Sequence, residues 1–256
     1  MLNTSLVLFG IFIILLICNI PIAVSLGIAS IVSIVVTGLP IEMFPINVFS
    51  ASSKFSLLAI PFFIVAGNIM EKAGISEKLI DFAKACVGHR KNGVALVCVI
   101  VSCFFAAISG SAVATTAAIG GIMHPEMVKR GYSSPYSAAL PAVAGTLGII
   151  IPPSIVFVIY GNITGTSISQ LLMAGVVPGV LCAAALCVLA YIIARRRSYE
   201  VDQMFSWRGL GQSFLRSVFA LLMPLIILGG IYAGICTPTE SSAIACLYGA
   251  IVCFVA

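Results

Sequence analysis

The chain has 256 residues, of which 61% are apolar types and only 8% are charged, against about 25% charge in a soluble domain. So few charges cannot coat a globule with a polar surface, which excludes a soluble enzyme, a nucleic-acid binder and a disordered chain. With a mean hydropathy of +1.20 the sequence reads as an all-α, polytopic membrane protein bathed by the lipid bilayer, with room for at most about ten crossings.

The excess of positive charge sits in a few clusters: Lys72, Lys78, Lys84, Arg90 and Lys91; Lys129 and Arg130; then Arg195, Arg196, Arg197, Arg208 and Arg216. Each borders a hydrophobic run, so the positive-inside rule assigns all three to the cytoplasmic side and no nucleic-acid role is expected. Residues 1–4 carry no positive charge, and no cleaved signal peptide is expected. Cys18, Cys98, Cys182, Cys187, Cys246 and Cys253 lie within apolar runs. They read as small buried hydrophobes, not as a disulfide framework or a transition-metal site.

Leu6 to Val36 is apolar apart from Asn19-Ile20-Pro21. One straight helix of that length would be about 45 Å long, against a hydrocarbon core of about 30 Å, so this is either a kinked span or two short helices. Pro40 to Lys54 is mixed and interfacial. Phe55 to Met70 is a span containing Pro61. From Glu71 to Arg90, apolar Ile75, Leu79, Phe82, Ala83 and Cys86 alternate with charges at helical spacing, the pattern of an amphipathic helix lying on the cytoplasmic surface.

Gly93 to His124 is apolar at both ends around Ser109-Gly110-Ser111, with positive clusters beyond each end. A segment whose two flanks are cytoplasmic enters and leaves on one side. Two full crossings would satisfy this, as would a re-entrant helical hairpin. Arms of about 13 to 16 residues, short of a full span, favour the hairpin. So does a Ser/Gly tip, because irregular backbone at membrane depth needs cover from protein or a wet cavity.

Ser134 to Tyr160 crosses outward but holds Gly145, Gly148, Pro152 and Pro153, and Pro-Pro cannot continue a regular helix, so a broken helix is expected there. Gly161 to Ser169 reads as an outside loop. Leu171 to Ala194 crosses back, Tyr199 to Gly211 is a cytoplasmic linker with the single tryptophan, Trp207, and Phe214 to Cys236 crosses again. Thr237-Pro238-Thr239-Glu240 interrupts the chain before a last apolar run from Ser241 to Ala256, which stops without a polar flank.

Catalysis finds little support. His89 and His124 lie beside charged loops with no evident serine or cysteine partner in sequence, and no phosphate-binding glycine loop occurs. Glu240 is the one carboxylate with apolar sequence on both sides, and ionisable groups in membranes are functional by default. Three helix interruptions remain: Ser109-Gly110-Ser111, Gly145 to Pro153, and Gly234 to Glu240. Each alone is explained by close packing or a proline kink. Three together match the broken helices of secondary transporters, whose freed carbonyls and hydroxyls are hard ligands for sodium and whose half-helix N-termini attract anions.

AISGSAVATTAAIGG at Ala107–Gly121, followed by His124-Pro125-Glu126-Met127 and Lys129-Arg130-Gly131-Tyr132, closely resembles the large membrane subunit of tripartite ATP-independent periplasmic (TRAP) transporters. So do LAIPFFIVAG at Leu58–Gly67, GTLGIIIPPSIVFVIYG at Gly145–Gly161, AGVVPGVL at Ala174–Leu181 and GGIYAGICTPTESSA at Gly229–Ala243. Ala112, where the family often has a further serine, and Asn92-Gly93, near a usual Gly-Gly pair, depart from the pattern. The resemblance implies a permease in the bacterial inner membrane that imports organic acids, such as C4-dicarboxylates or sialic acids, with sodium as coupling ion and no other cofactor. It implies two partners, a small four-helix membrane subunit and a periplasmic substrate-binding protein. It also implies an elevator motion built on inverted repeats, of which this chain would hold the first and the start of the second, as if C-terminally truncated. The domains would be 1–91 (N-terminal spans and surface helix), 92–161 (re-entrant hairpin and broken helix), 162–213 (span and basic linker) and 214–256 (start of the second repeat). By position, Ser109, Ser111, Gly145, Gly148 and Pro152 would form one sodium site, and Gly234 with Thr237 half of another. Gly110, Thr146, Pro153, Ser154, Thr239 and Glu240 would lie near substrate. A sodium–dicarboxylate symporter that needs no binding protein is the alternative.

Overall fold

The computed structural model describes residues 4–89, 93–195 and 206–255. Arg90, Lys91, Arg196 and Arg197, and with them parts of the first and third basic clusters, lie outside the described residues. Among the described residues every regular element is helical, and there is no strand. The chain divides into two compact units, Met1–Lys54 and Phe55–Ala256.

The first unit decides the ambiguity at Asn19. Two short helices form, α1 (Thr4–Ile17) and α2 (Ile22–Val36), packed on one another. Asn19 takes the left-handed conformation, φ 60°, and the amides of Asn19 and Ile20 donate to the carbonyls of Leu16 and Leu15. Those bonds satisfy the last carbonyls of α1, and Pro21 then starts a new direction. The buried positions of α2, Ser25, Ala29 and Ser33, recur every four residues as a small-residue stripe suited to close helix approach. The interfacial stretch contains a further helix, α3 (Met43–Ser52), with no buried residue.

The second unit opens with a 3-10 turn, Phe55–Leu58, leading into α4 (Ala59–Lys72). Helix α5 (Ile75–Val87) buries Ile75, Ser76, Leu79, Ile80 and Ala83. It is amphipathic as its periodicity requires, but its apolar face does not rest on lipid. It packs on α6 (Gly93–Ser109) and α11 (Trp207–Tyr232). The Phe82 ring lies between Phe104 and Phe214, with centroids 6.2 and 5.9 Å away, and Ser217 Oγ donates to the Lys78 carbonyl at 2.7 Å. An apolar helical face specifies a dry neighbour without saying whether lipid or protein supplies it.

Helices α6 and α7 (Ala112–Lys129) form a hairpin turned by Gly110 and Ser111 alone. Its arms have 17 and 18 residues, longer than the 13 to 16 expected, because helix runs up to Ser109 and resumes at Ala112. Arm length therefore carries less of the case for re-entry than the sequence indicated. At the hairpin base Glu126 pairs with Lys84 of α5 at 3.5 Å and with Arg130 at 3.4 Å. His124 Nε2 lies 3.5 Å from Ser134 Oγ, so this histidine does meet a serine, in an exposed contact at the limit of a hydrogen bond.

The next span is broken as its prolines require. It consists of α8 (Ser134–Gly145), a 3-10 turn (Thr146–Ile149), an irregular link, and α9 (Ile155–Thr164). Helix α9 absorbs Gly161–Thr164, so the loop before α10 (Ile168–Arg195) shrinks to three residues, 165–167. Ser206 caps α11, accepting from the Gly209 amide at 3.3 Å, so Trp207 to Gly211 are helical and belong to no linker. After Tyr232 the chain turns into α12 (Pro238–Val255), which packs along α4.

Three described segments are long and apolar enough to cross a membrane: Phe55–Lys72, Ile168–Ile193 and Trp207–Tyr232. Apolar side chains that water would expel face outward along them, among them Val177, Val180, Leu181, Leu215 and Leu225. This is the surface of a multi-pass membrane protein. The same outward exposure corrects the cysteine expectation. Cys98 is buried, but Cys18, Cys182 and Cys253 are exposed, because apolar runs in a membrane protein face lipid as well as core. Cys86 and His89 stand at CxxH spacing, yet no three His, Cys, Asp or Glu gather as a metal site among the described residues.

Candidate functional site

Two of the three interruptions come together. The hairpin tip rests on the break between α8 and α9: the Ile155 amide donates to the Gly110 carbonyl at 3.2 Å. Gly110 has φ +62°, and a Cβ there would stand 2.6 Å from the Pro153 carbonyl oxygen. A Cβ on Gly148 would lie 2.7 Å from the backbone of Ser111, and one on Gly145 would collide with Thr116 Oγ1. Glycine at 110, 145 and 148 is thus what lets the two backbones touch. Gly67 of α4 closes the site from a third side, since a Cβ on it would be 3.3 Å from Ser109 Cα.

Four helix ends meet here. Helix α6 ends at Ser109 and the α8 turn ends at Ile149, presenting carbonyl ends; α7 begins at Ala112 and α9 at Ile155, presenting amide ends. Both N-termini are serine-capped. Ser111 Oγ accepts from the Ala114 amide at 3.3 Å, and Ser154 Oγ accepts from the Phe157 amide at 3.4 Å while donating to the Ile149 carbonyl at 2.8 Å. Ser154 therefore ties the two halves of the broken helix together. Carbonyl ends favour a cation and amide ends an anion, each within about one turn.

The tip carries its own polar cluster. Ser109 Oγ is 2.9 Å from Thr115 Oγ1, and Thr115 Oγ1 donates to the Ser111 carbonyl at 2.8 Å. Ser109 and Thr115 are buried, as are Pro152, Pro153 and Ser154 behind them. Thr146 is exposed, and its hydroxyl turns back onto the Val143 carbonyl at 2.7 Å. Ser109 and Ser111 open onto a cavity of about 280 Å³, bounded also by Asn68 and Glu71 of α4 and by Phe105 and Ile155. Most of its wall is apolar, with Ile64, Val113, Ala114 and Ala117 completing it, and Gly145, Gly148 and Pro152 do not line it. The polar residues at the wall, Ser109, Ser111, Asn68 and Glu71, carry hard oxygen atoms of the kind sodium takes.

Gly234, Thr237, Thr239 and Glu240 form a separate group in the link between α11 and α12. Gly234 has φ +68°, and the amides of Gly234 and Ile235 donate to the carbonyls of Ile231 and Gly230, closing α11. Thr237 and Glu240 make a capping box for α12. The Glu240 carboxylate accepts from the Thr237 amide and hydroxyl, both at 2.8 Å, and the Glu240 amide donates to Thr237 Oγ1 at 3.3 Å. Gly234, Thr237 and Glu240 are exposed, whereas Thr239 is buried and its carbonyl accepts from Ser242 Oγ at 2.6 Å.

Sequence reasoning missed Thr115, Gly67, Asn68 and Glu71. Thr115 had a signal, four residues after Ser111 on a helix starting there, so that its hydroxyl reaches the Ser111 carbonyl. Asn68 and Glu71 had none, because only the packing of α4 against the tip brings them to the cavity.

The sequence profile of the tripartite ATP-independent periplasmic transporter DctM component matches residues 9–256. The chain belongs to this family. Within it, the chain is 46% identical over 207 residues to the C4-dicarboxylate TRAP transporter large permease protein DctM of Pseudomonas aeruginosa, covering 81% of this chain and 48% of that protein. It is 44% identical over 255 residues to the isethionate TRAP transporter permease protein DctMQ of Oleidesulfovibrio alaskensis, covering 97% and 40%. With the 2,3-diketo-L-gulonate TRAP transporter large permease protein YiaN of Escherichia coli it shares 38% over 213 residues, 81% of this chain and 50% of the other. The chain spans about half the length of such relatives. All three are named as transporter permeases, not as enzymes.

Proposed function

We propose that this chain is the permease part of a sodium-coupled secondary importer of organic acids in the bacterial inner membrane, working with a small four-helix membrane subunit and a periplasmic substrate-binding protein. The observation that carries this is the meeting of two carbonyl ends and two amide ends at the Gly110–Ile155 hydrogen bond. Such a junction offers oxygen ligands to a cation beside helix N-termini able to receive a carboxylate. Ser109, Ser111 and backbone oxygens around Gly145, Gly148 and Pro152 would hold the ion. Gly110, Pro153 and Ser154 face the same junction. Gly234 and Thr237 would contribute half of a second ion site, and Thr239 and Glu240 would lie near substrate. In this reading the hairpin is re-entrant, its base at Glu126 and Lys129 faces the cytoplasm, and it moves as a body with α8 and α9 in an elevator cycle. The substrate classes follow from the relatives, whose names cover C4-dicarboxylate, isethionate and diketogulonate.

The test is uptake of organic acids by the whole protein, reconstituted with its small subunit, under an inward sodium gradient. Uptake should require both sodium and an added periplasmic binding protein, and Ser109→Ala should weaken the sodium dependence. Sodium-dependent uptake with no binding protein present would move the reading to a stand-alone symporter. Uptake indifferent to replacing sodium by potassium would overturn the ion-site reading.

A further inference from the structure

We infer that Thr115 is a positioning residue for the cation site, holding the Ser109 hydroxyl with its lone pair turned toward the cavity. The inference rests on the ion-site reading above and follows from where the protons of three groups must go. A hydroxyl has one proton. The Ser111 carbonyl can only accept, so the 2.8 Å contact from Thr115 Oγ1 uses the Thr115 proton. The 2.9 Å contact between Ser109 Oγ and Thr115 Oγ1 then has its proton supplied by Ser109. This is the one assignment in which both short contacts are hydrogen bonds. The other acceptor within reach of Ser109, the Ser111 carbonyl, stands at 3.4 Å.

With its proton committed to Thr115, Ser109 Oγ presents lone pairs. One meets the Ser111 amide at a long 3.4 Å, and Ser109 is one of the residues that line the cavity. A hydroxyl that ligates a cation needs this arrangement, because its proton must point away from the charge to an acceptor. Thr115 is fully buried, 0% exposed, so water does not compete for the role. The Thr115 amide also donates to the Ser111 carbonyl, at 3.0 Å, so removing the hydroxyl leaves that carbonyl paired and the helix start intact. The effect of a substitution should therefore fall on Ser109 and not on the hairpin turn.

The experiment measures the thermal unfolding of the purified full-length protein in detergent against sodium chloride concentration, with potassium chloride keeping ionic strength constant. Thr115→Val should raise the sodium concentration for half-maximal stabilisation about tenfold, the equivalent of one hydrogen bond to a ligand oxygen. Thr115→Ser, which keeps the hydroxyl, should restore it. Thr115→Ala serves in place of valine if the branched side chain prevents folding. Wild-type sodium response in Thr115→Val, or equal loss in the valine and serine variants, overturns the inference, the latter because it would mark a packing role. Ser109→Ala separates the two levels of the argument: a sodium response it leaves untouched removes the cation site itself, whereas a response lost in Ser109→Ala but kept in Thr115→Val removes only the role of Thr115.

Discussion

Gly148 and Gly121 differ in what a methyl group would meet, and that difference measures how tightly the hairpin tip is seated. At Gly148 the added carbon would stand 2.7 Å from the carbonyl carbon and oxygen of Ser111, which are backbone atoms with no rotamer to yield. At Gly121, on α7, nothing lies within 4 Å. Gly148→Ala should therefore lower the unfolding temperature and abolish sodium-dependent stabilisation, because the tip and the break must separate. Gly121→Ala should be neutral or stabilising by up to about 1 kcal/mol through helix propensity. Thermal unfolding of both variants with and without sodium checks the pair. Residue identity shows glycine at both places but not which one a neighbouring backbone presses against. Glu240 carries a similar lesson. Apolar sequence on both sides marked it as an intramembrane charge, and the spacing Thr237-x-x-Glu240 is equally the signature of a helix cap, which is the arrangement its hydrogen bonds adopt.

Helix α5 was legible as an element, and its partner was not. Ile75, Leu79 and Ala83 recur at helical spacing, which fixes one apolar stripe. Whether the stripe meets lipid or protein depends on α6 and α11, the latter over a hundred residues further along the chain. Leu79 is fully buried in that contact, and Leu79→Ala should cost about 2–5 kcal/mol. Exposed Glu77→Ala should stay within about 0.5 kcal/mol. A helix lying on lipid would show no such contrast in detergent, so unfolding of the two variants discriminates the arrangements. The α8–α9 break was legible in full, since Pro152-Pro153 forbids a continuous helix by covalent structure alone. Its closure by Ser154, which bonds both the Ile149 carbonyl and the Phe157 amide, is a tertiary detail of the same few residues.

At the scale of the whole molecule, α4 holds the fold of the second unit together. Its Gly67 abuts the hairpin tip, its Phe62 carbonyl accepts from Cys246 Sγ of α12 at 2.9 Å, and Gly249 of α12 packs on its Ile69 and Met70. Helix α4 thus touches both the hairpin tip and α12. The hairpin's membrane course is open to direct measurement. In a cysteine-free background, a cysteine at Lys129, exposed at the hairpin base, should label with a membrane-impermeant thiol reagent from the cytoplasmic side. Ser111→Cys, at the seated tip, should stay unlabelled from the periplasm in sodium. Free periplasmic labelling of Ser111→Cys would mean two complete crossings and no re-entry.

Composition by itself determined that this is a membrane-embedded helical protein, because 21 charged residues among 256 cannot make a water-facing surface. Asn19-Ile20-Pro21 and Pro152-Pro153 marked two places where helix stops, because those constraints are local to the backbone, whereas Pro125, Pro141, Pro178 and Pro224 are carried inside helices. The meeting of the Ser109–Ser111 tip with the Gly145–Ser154 break, the neighbours of α5 and the arrival of Asn68 and Glu71 at the cavity were decided only by tertiary structure. Contacts between segments tens of residues apart arise from packing complementarity, and no local propensity encodes which interruption of a helix will face which.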